Sequence, residues 1–534
     1  MKKNIYINDW LAFKPYNNHS ATDTYYLKIC NEVKKAIVSI PYSSDILDFL
    51  VEDEIDALSC ILTSYFEDLV SQTNIWSSFV SMHHQLYNKH LPFFPCEDYL
   101  EEEINEQDVR FLFWYFVNTV QDERFISPET SFFEVMAEVV MTIFEDAWET
   151  APENHYLKSF YHLDQNETDF YVVRNLIDTI LFKTYLFHFD TFSNLFATEL
   201  ELFKTEDSEN RLLALLNENR DTHLHTSHTR LLALHGREWA SEVLGKAHKL
   251  AGNVLRIKDK ISGYFLYKGQ DENYIYLEHI ASGMKFQMVQ KSFDPSAELL
   301  VIDSILFIGI SQWLGEWWFS GMFFQQPFSA DLILDEKNSV KSRKAVIFLE
   351  NKNKTDEVLK MQMETFLAFN GGYPIAFVSS DGINEFVKDY TAFFNSTLNL
   401  SPRQVEKAHA RARKEGFFLS ENHDIHFSEE VESALVFFNP KSGIEIGLGI
   451  NSAFPLPHNP YFDSAESDDA VMTLITSENV STELARFCID KCHKDLAFFQ
   501  AGYGKLYLKD IDFLLRFWKS KNYHTVPGVS FTGR

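Results

Sequence analysis

One long stretch, from Val254 to Phe328, is rich in strand-forming residues and constrains the fold more than any other part of the chain. Its short runs of Val, Ile, Tyr, Phe and Trp are interrupted by turn-forming residues at 268–271, 281–283 and 314–316. Runs of this kind, separated by Gly, Asp and Ser, are typical of small antiparallel sheets. We therefore predict a small antiparallel β-barrel over residues 254–330.

The first 220 residues have the pattern of an acidic helical domain. Apolar residues recur every three or four positions, as in Leu58, Ile61, Leu62, Tyr65 and Leu69. Residues 1–215 contain 14 Lys+Arg against 37 Asp+Glu, which is −23 of the chain's net charge of −29. An acidic surface repels a phosphate backbone, so any nucleic-acid contact is expected in the second half of the chain.

The remaining sequence completes a predicted α+β organisation in four parts. A polar linker rich in histidine and a short helix follow the helical domain, and mixed helix and strand patterns follow the barrel. Strands are predicted at Asp331–Leu334, Lys344–Leu349 and Ile375–Ser379. The predicted parts are an acidic all-α domain at 1–220, a linker and helix at 221–253, the barrel at 254–330 and a mixed α/β domain at 331–534.

The strongest candidate for chemistry is the combination of Asp331, Glu350 and Lys352. Strand alternation after the apolar run AVIFL places Glu350 and Lys352 on one face, with Asp331 on a preceding predicted strand. Two carboxylates beside a lysine can hold Mg²⁺ and polarise a water molecule against a phosphodiester. The pattern resembles the acid–Glu-x-Lys motif of restriction-endonuclease-like nucleases, although Pro327 is separated from Asp331. A strand that runs into a solvated turn explains the same residues.

Two further groups contain metal-binding residue types without the spacing of a metal site. His223, His225 and His228 lie in the polar linker with no cysteine nearby, so exposed side chains are expected and no metal is predicted. Cys488 and Cys492 share one face of a predicted helix, which favours core packing. The five cysteines are too few and too scattered for a disulfide framework and favour a reducing compartment.

A basic stripe is predicted on the helix Pro402–Lys414. Its cations recur at i, i+4, i+8 and i+11 and are Arg403, Lys407, Arg411 and Lys414. Three interpretations remain open for the stripe: a solvated face, docking onto the acidic first domain, and contact with nucleic-acid phosphates.

The aromatic residues of the predicted barrel offer ring faces on which bases stack in single-stranded nucleic-acid binding. Against this interpretation, the segment contains many carboxylates and no basic groove, and half-buried strand aromatics are the ordinary explanation. The rings concerned are Tyr264, Tyr267, Tyr274, Tyr276, Trp313, Trp317 and Trp318.

Four segments of the first half resemble an uncharacterised bacterial family of unknown function, found mostly in gut anaerobes of the Bacteroides type. They are NIYINDWLAFKPY at 4–16, ALSCILTSYFEDLVS at 57–71, EQDVRFLFWYFVNTV at 106–120 and EDAWETAPENHYL at 145–157. The likeness extends over most of the chain. It implies a bacterial, cytoplasmic setting and supplies no activity, cofactor or site residue.

Taken together, the sequence favours a non-enzymatic binding or scaffold protein that recognises another protein, because recognition requires no catalytic constellation. The first alternative is a Mg²⁺-dependent nuclease that uses Asp331, Glu350 and Lys352, and only this alternative implies a cofactor. The second is single-stranded nucleic-acid binding, with a role in defence against phage. No apolar leader or membrane-length apolar window is recognisable, so we expect a cytoplasmic protein. The scaffold hypothesis predicts an exposed apolar patch.

Overall fold

The computed structural model describes residues 4–39, 50–121, 125–206, 208–293, 301–339, 342, 352–398, 401–404, 406–407, 410 and 432–524. These residues belong to two compact units, 1–345 and 346–534. The predicted α+β class is confirmed, because each unit combines α-helices with a β-sheet. The finer division into four parts stays a prediction.

The described part of the first unit begins with helices and continues into one sheet. Before the sheet lie α1 (Ile7–Leu11), α2 (Ala21–Ile37), α3 (Glu52–Ser71), α4 (Ile75–Tyr87), α5 (Glu106–Val120), α6 (Ser131–Trp148), α7 (His155–Ser159), α8 (Phe170–Lys183), α9 (Ser193–Thr205), α10 (Glu209–Thr226), α11 (Gly236–Leu244) and α12 (Ala251–Leu255). The sheet contains β1 (Ile261–Gln270), β2 (Tyr274–His279), β3 (Lys285–Val289), β4 (Ile305–Trp313) and β5 (Glu316–Gln326).

Helix α5 lies at the centre of the helical part, as its nearly continuous apolar sequence predicts. Every residue from Phe111 to Val117 exposes at most 3% of its surface. A helix that is apolar all round is stable only when other elements cover it on every side. The hydroxyl of Tyr115, which is buried with this helix, donates a hydrogen bond to the carbonyl of Leu186 at 2.7 Å.

The five strands of the first unit are paired in the order β1-β2-β3-β5-β4, and β4 pairs back with β1, so the sheet closes on itself. All these pairings are antiparallel except that of β3 with β5, which runs parallel through Met288 and Trp317. An odd number of strands cannot alternate in direction all the way round a ring. The prediction of a wholly antiparallel arrangement is therefore wrong at this one pairing. We refer to these strands as the closed sheet.

Residues 331–334, predicted as a strand, lie in a helix, α13 (Ala330–Asn338). Ser329 is its N-cap and accepts a hydrogen bond from the amide of Leu332, while Asp331 lies in the first turn. A capping serine followed by an acidic residue in the first turn stabilises a helix start. This local signal outweighs the strand propensity of Leu332, Ile333 and Leu334.

The described part of the second unit combines a three-stranded antiparallel sheet with helices. The strands are β6 (Ile375–Ser379), β7 (Ser433–Asn439) and β8 (Gly443–Leu448). Phe366, Val436 and Phe438 belong to a core cluster between sheet and helices. The helices are α14 (Lys352–Phe369), α15 (Ile383–Thr397), α16 (Ser467–Thr476), α17 (Thr482–Cys492), α18 (Gly502–Tyr507) and α19 (Ile511–Trp518). The predicted strand at Lys344–Leu349 lies outside the described residues.

Among the helices of the described ranges, none combines the length and apolar character that crossing a membrane requires.

Candidate functional site

Helices α9 and α10 of the first unit contact each other and carry apolar side chains on their outside. Phe196, Leu200 and Phe203 of α9 expose 49%, 41% and 58% of their surface, and Leu213 of α10 exposes 55%. All residues of α9 are described, and Leu195 is the only buried one. This hairpin of helices therefore leaves most of its large apolar side chains in contact with solvent.

The exposed large apolar residues of α9 lie on one side of the helix. Phe196, Leu200 and Phe203 are separated by four and three residues, a spacing that places side chains next to each other on a helix. We call these three residues the α9 stripe. Phe192 extends it towards the body of the unit, because its ring stacks on that of Phe196 with centroids 6.1 Å apart.

Hydrogen-bonding groups on the opposite side of α9 link it to α10. Thr198, two residues after Phe196, accepts a hydrogen bond from Nδ2 of Asn219 at 2.8 Å, and its Oγ1 lies 3.3 Å from Nε2 of His223. A surface helix normally turns its apolar side towards the protein and its polar side towards water. Helix α9 buries Leu195 and half-buries Leu202, but the α9 stripe lacks the cover that an apolar side usually receives.

The hairpin is acidic, and its own cations are already neutralised. Residues 193–220 contain six Asp+Glu and three Lys+Arg. Each cation pairs with a carboxylate: Lys204 with Glu201, Arg211 with Glu206, and Arg220 with Asp178. Glu199 and Glu209 form no ion pair with a described residue, and partial burial raises the pKa of Glu199. The potential around the stripe is therefore negative.

A buried ionic cluster fixes α10 to the closed sheet. The Asp221 carboxylate is fully buried and lies 2.7 Å from Nε of Arg174 and 2.8 Å from Nζ of Lys260. It also accepts hydrogen bonds of 2.9 and 2.8 Å from Ser320 on β5. Burial alone would raise the pKa of Asp221, but the charges of Lys260, His225 and Arg174 lower it to about 2. Glu218 extends the cluster by pairing with Lys260 at 2.7 Å.

The linker histidines, predicted to be exposed, are buried or half-buried in the structure. The prediction of a polar linker is therefore wrong for these residues. His223 and His225 lie in α10, and burial lowers the pKa of His225 to about 4. The rings of His228 and His235 pack 3.9 Å apart across a single antiparallel bridge. Within the described ranges no three His, Cys, Asp or Glu side chains are grouped to hold a metal ion.

The residues of the nuclease alternative do not have the predicted strand geometry. Asp331 is an exposed residue of α13 in the first unit, and Lys352 is the first residue of α14 in the second. Glu350 lies outside the described residues. Both described members are therefore helical, and neither lies on the strand that the nuclease hypothesis assigns to it.

The two other predicted surfaces are only partly described. Arg403 and Lys407 are exposed and helical, whereas Arg411 and Lys414 lie outside the described residues. None of the seven aromatic rings of the closed sheet is fully exposed; Tyr267, Trp313 and Trp318 expose 4%, 1% and 2%. These three rings are packed within the protein, whereas Tyr264, Tyr274, Tyr276 and Trp317 are half-exposed.

Cys488 and Cys492 lie in the core of the second unit, as predicted. Both side chains are fully buried. The Cys488 thiol donates to the carbonyl of Ala453 at 3.2 Å, and its hydrogen bond with Cys492, followed by burial, raises its pKa. An enclosed thiol with a raised pKa is a poor nucleophile, so Cys488 is structural; the same hydrogen bond lowers the pKa of Cys492, which is nevertheless fully buried.

Sequence reasoning missed α10, the second half of the hairpin, because residues 205–219 are mostly polar. Two local signals could have found it. Ser208 is an N-cap residue type directly before Glu209, and Leu212, Leu215 and Leu216 follow at helical spacing. Even with these signals, periodicity identifies an apolar side and not whether the protein covers it.

Comparison with known proteins adds one match. A family model described as "Protein of unknown function (DUF3843)" matches residues 4–273, which is just over half of the 534 residues. The match includes the α9–α10 hairpin and ends in the closed sheet. No curated protein and no solved structure matches the chain.

Proposed function

We propose that this chain, which belongs to the family described as "Protein of unknown function (DUF3843)", is a non-enzymatic binding or scaffold protein that recognises another protein through the α9 stripe. Its family description supplies no activity, so the proposal rests on the surface itself. We place the protein in the cytoplasm, and we assign the closed sheet the role of a small barrel that supports the hairpin.

The observation that carries this proposal is the exposure of the α9 stripe. Three large apolar side chains face solvent, while Thr198 on the opposite side bonds to α10. Contiguous exposed apolar side chains cost free energy and commonly mark a binding surface. A partner that covers the α9 stripe would remove this cost at little expense in reorganisation, because α9 is already folded.

The charge of the hairpin specifies the chemistry of the partner. The ion pairs of Lys204, Arg211 and Arg220 leave an excess of carboxylates near the stripe. A second copy of this chain would bring another net charge of −29 to the same place, which like-charge repulsion opposes. We therefore infer an amphipathic helix whose apolar side is flanked by Lys and Arg, a mode in which helical spacing provides the anchors.

Titration with designed peptides tests this function. A labelled amphipathic peptide with Leu on one side and Lys on the other is added to the full chain, and binding is followed by fluorescence anisotropy. We expect tighter binding of this peptide than of a Leu/Glu counterpart with the same apolar pattern. The double substitution Phe196→Asp and Phe203→Asp should weaken binding by about 2 kcal/mol or more, roughly thirtyfold, as for interface hot spots.

A matched control separates the stripe from general effects of charge. Val301 and Leu334 are exposed apolar residues of the same unit, at 67% and 59%. Val301→Asp with Leu334→Asp adds the same charge and should leave the affinity for the Leu/Lys peptide nearly unchanged. Equal weakening by both double variants, or equal affinity for the Lys and Glu peptides, would show that the α9 stripe is not the binding surface.

A further inference from the structure

A second surface of the first unit, separate from the α9 stripe, has the features of a small-molecule site. A solvent-open cavity of about 550 Å³ lies between the segment around α12 and the turn that joins β4 to β5. Small-molecule sites have volumes of roughly 300–1,000 Å³. The cavity can therefore hold one ligand of about nucleotide size.

The charged side chains that line this cavity are all cationic. They are Arg237 of α11 and Arg256 and Lys258, which lie between α12 and β1. Asp and Glu outnumber Lys and Arg by 77 to 48 in the whole chain. A cavity wall with three cations and no carboxylate is therefore opposite in charge to the protein as a whole. The cavity is a local positive region on an acidic protein.

Two of these cations are available to a ligand. Arg237 is partly neutralised, because it forms an ion pair with the exposed carboxylate of Asp259. The side chains of Arg256 and Lys258 are exposed and form no ion pair with any residue in the described ranges. An anionic group in the cavity would therefore gain two new charge partners without displacing an existing carboxylate.

The backbone on both sides of the cavity is fixed before a ligand arrives. The amide of Lys258 donates to the carbonyl of Gln312 at 3.4 Å, and the carbonyl of Lys258 accepts from Oγ of Ser311 at 2.9 Å. Leu314 and Gly315 form a tight turn with positive φ angles of 48° and 86°. A site that is already formed loses little conformational entropy on binding.

Polar and apolar groups complete the lining. Asn253 and Gln312 contribute side-chain amides, and Nε2 of Gln312 is held by the carbonyl of Gly315 at 3.2 Å. Leu255 and Leu314 are exposed at the cavity, at 49% and 43%. Apolar walls with a few polar groups suit a ligand that has an uncharged body in addition to its anionic group.

We propose that this cavity binds a small molecule that carries a phosphate group on a planar or apolar body, with Arg256 and Lys258 at the phosphate. Arginine presents a planar fork of donors that matches two phosphate oxygens, and lysine adds a point charge. A nucleic-acid strand is disfavoured, because a polymer would extend beyond the cavity onto an acidic protein. This proposal is independent of protein binding at the α9 stripe.

Calorimetric titration of the full chain tests the site with defined probes. The probes are ADP, inorganic phosphate, adenosine, which lacks the phosphate, and a single-stranded oligonucleotide. We expect saturable binding of ADP and binding of adenosine that is at least about tenfold weaker. Arg256→Glu combined with Lys258→Glu should weaken ADP binding roughly tenfold to a hundredfold, because two charge-assisted contacts are replaced by repulsion.

A control with the same change in net charge makes the result specific to the cavity. Lys249 and Lys285 are exposed and lie outside the cavity lining. Lys249→Glu with Lys285→Glu should change ADP affinity by no more than about twofold, because distant charges are screened. Circular dichroism checks that both variants remain folded. The proposal is overturned if neither ADP nor phosphate binds saturably, if both double variants lose affinity equally, or if only the oligonucleotide binds through Arg256 and Lys258.

Discussion

Asp221 is the residue on which the position of the α9–α10 hairpin depends most directly. Its carboxylate joins Arg174 of α8, Lys260 ahead of β1 and Ser320 of β5 at distances of 2.7–2.9 Å. Cations in a buried site are stable only with a compensating charge, and removing one partner leaves the others uncompensated. The cluster therefore ties α10 to the closed sheet.

Asp221→Asn should loosen this attachment. We expect a loss of about 3 kcal/mol in the local stability of α10, the lower end for a broken buried ion pair, because Arg174 loses its carboxylate and Lys260 keeps only that of Glu218. Hydrogen exchange of the α10 amides in the full chain measures the effect. Asp259→Asn is the matched control: Asp259 is 76% exposed and pairs with Arg237, so about 0–1 kcal/mol is expected. Equal exchange rates in the two variants would contradict the proposed role of Asp221.

Asp108 should make the free energy of unfolding depend on pH with the opposite sign to that of an ordinary ion-paired carboxylate. It is fully buried and accepts hydrogen bonds from the hydroxyls of Tyr65 at 2.7 Å and Tyr99 at 2.9 Å. Burial raises its pKa from 3.8 to about 7, although these hydrogen bonds oppose the shift. The folded state therefore favours the protonated acid. Its contribution to stability is complete below pH 3.8 and is lost as the pH rises towards 7.

Asp108→Asn should remove this dependence. Between pH 4 and 7 the free energy of unfolding of the wild-type chain should fall by up to about 1.4 kcal/mol per pH unit from this group. The asparagine variant lacks the titrating proton and should show a correspondingly flatter profile. Denaturant unfolding at a series of pH values measures both. Parallel profiles for the two proteins would contradict the raised pKa.

At the scale of elements, strand β5 and the side chain of Lys260 both come very close to Gly309 of β4 in the closed sheet. An added Cβ at this position would overlap the backbone oxygen of Ser320 on β5 and the side chain of Lys260. The pairing of β4 with β5 also shifts register between Ile308 and Gly309. A glycine is needed here because β4, β5 and the buried lysine meet at one point.

Gly309→Ala should therefore destabilise the sheet by about 1–3 kcal/mol, the usual cost of overpacking. Gly252→Ala is the control, since an added Cβ meets nothing within 4 Å in α12. A helix gains up to about 1 kcal/mol from this change. Thermal unfolding of the full chain followed by circular dichroism compares the two. A Gly309→Ala protein as stable as the wild type would show that β4 and β5 are less closely packed than described.

The sequence could predict those elements whose signals are local. The predicted turns at 281–283 and 314–316 fall between observed strands to within one residue, the one at 268–271 overlaps the end of β1, and the strand Ile375–Ser379 occurs as predicted. The strand predicted at 331–334 is wrong, because the N-cap at Ser329 starts helix α13 despite the strand propensity of these residues. The parallel pairing of β3 and β5 depends on closure of the whole ring, and the exposure of Phe196 depends on where α10 packs. Neither is encoded in a local pattern.

At the scale of the whole molecule, charge and apolar exposure coincide in the first unit. Residues 1–215 carry −23 of the net charge of −29, and this half includes the α9 stripe. Long-range attraction therefore favours cationic partners at the same surface where apolar contact is available. We expect the affinity for the Leu/Lys peptide to fall with increasing salt, because screening weakens the attraction and leaves the apolar contact.

Hydrogen exchange of the full chain with and without the Leu/Lys peptide tests the central claim, that the α9–α10 hairpin is a protein-binding surface, most directly. The predicted result is slower exchange of the amides of α9 and of the first half of α10 when the peptide is bound. The same slowing should be absent from the Phe196→Asp, Phe203→Asp protein. Slower exchange confined to other elements, or undiminished protection in that variant, would contradict the claim.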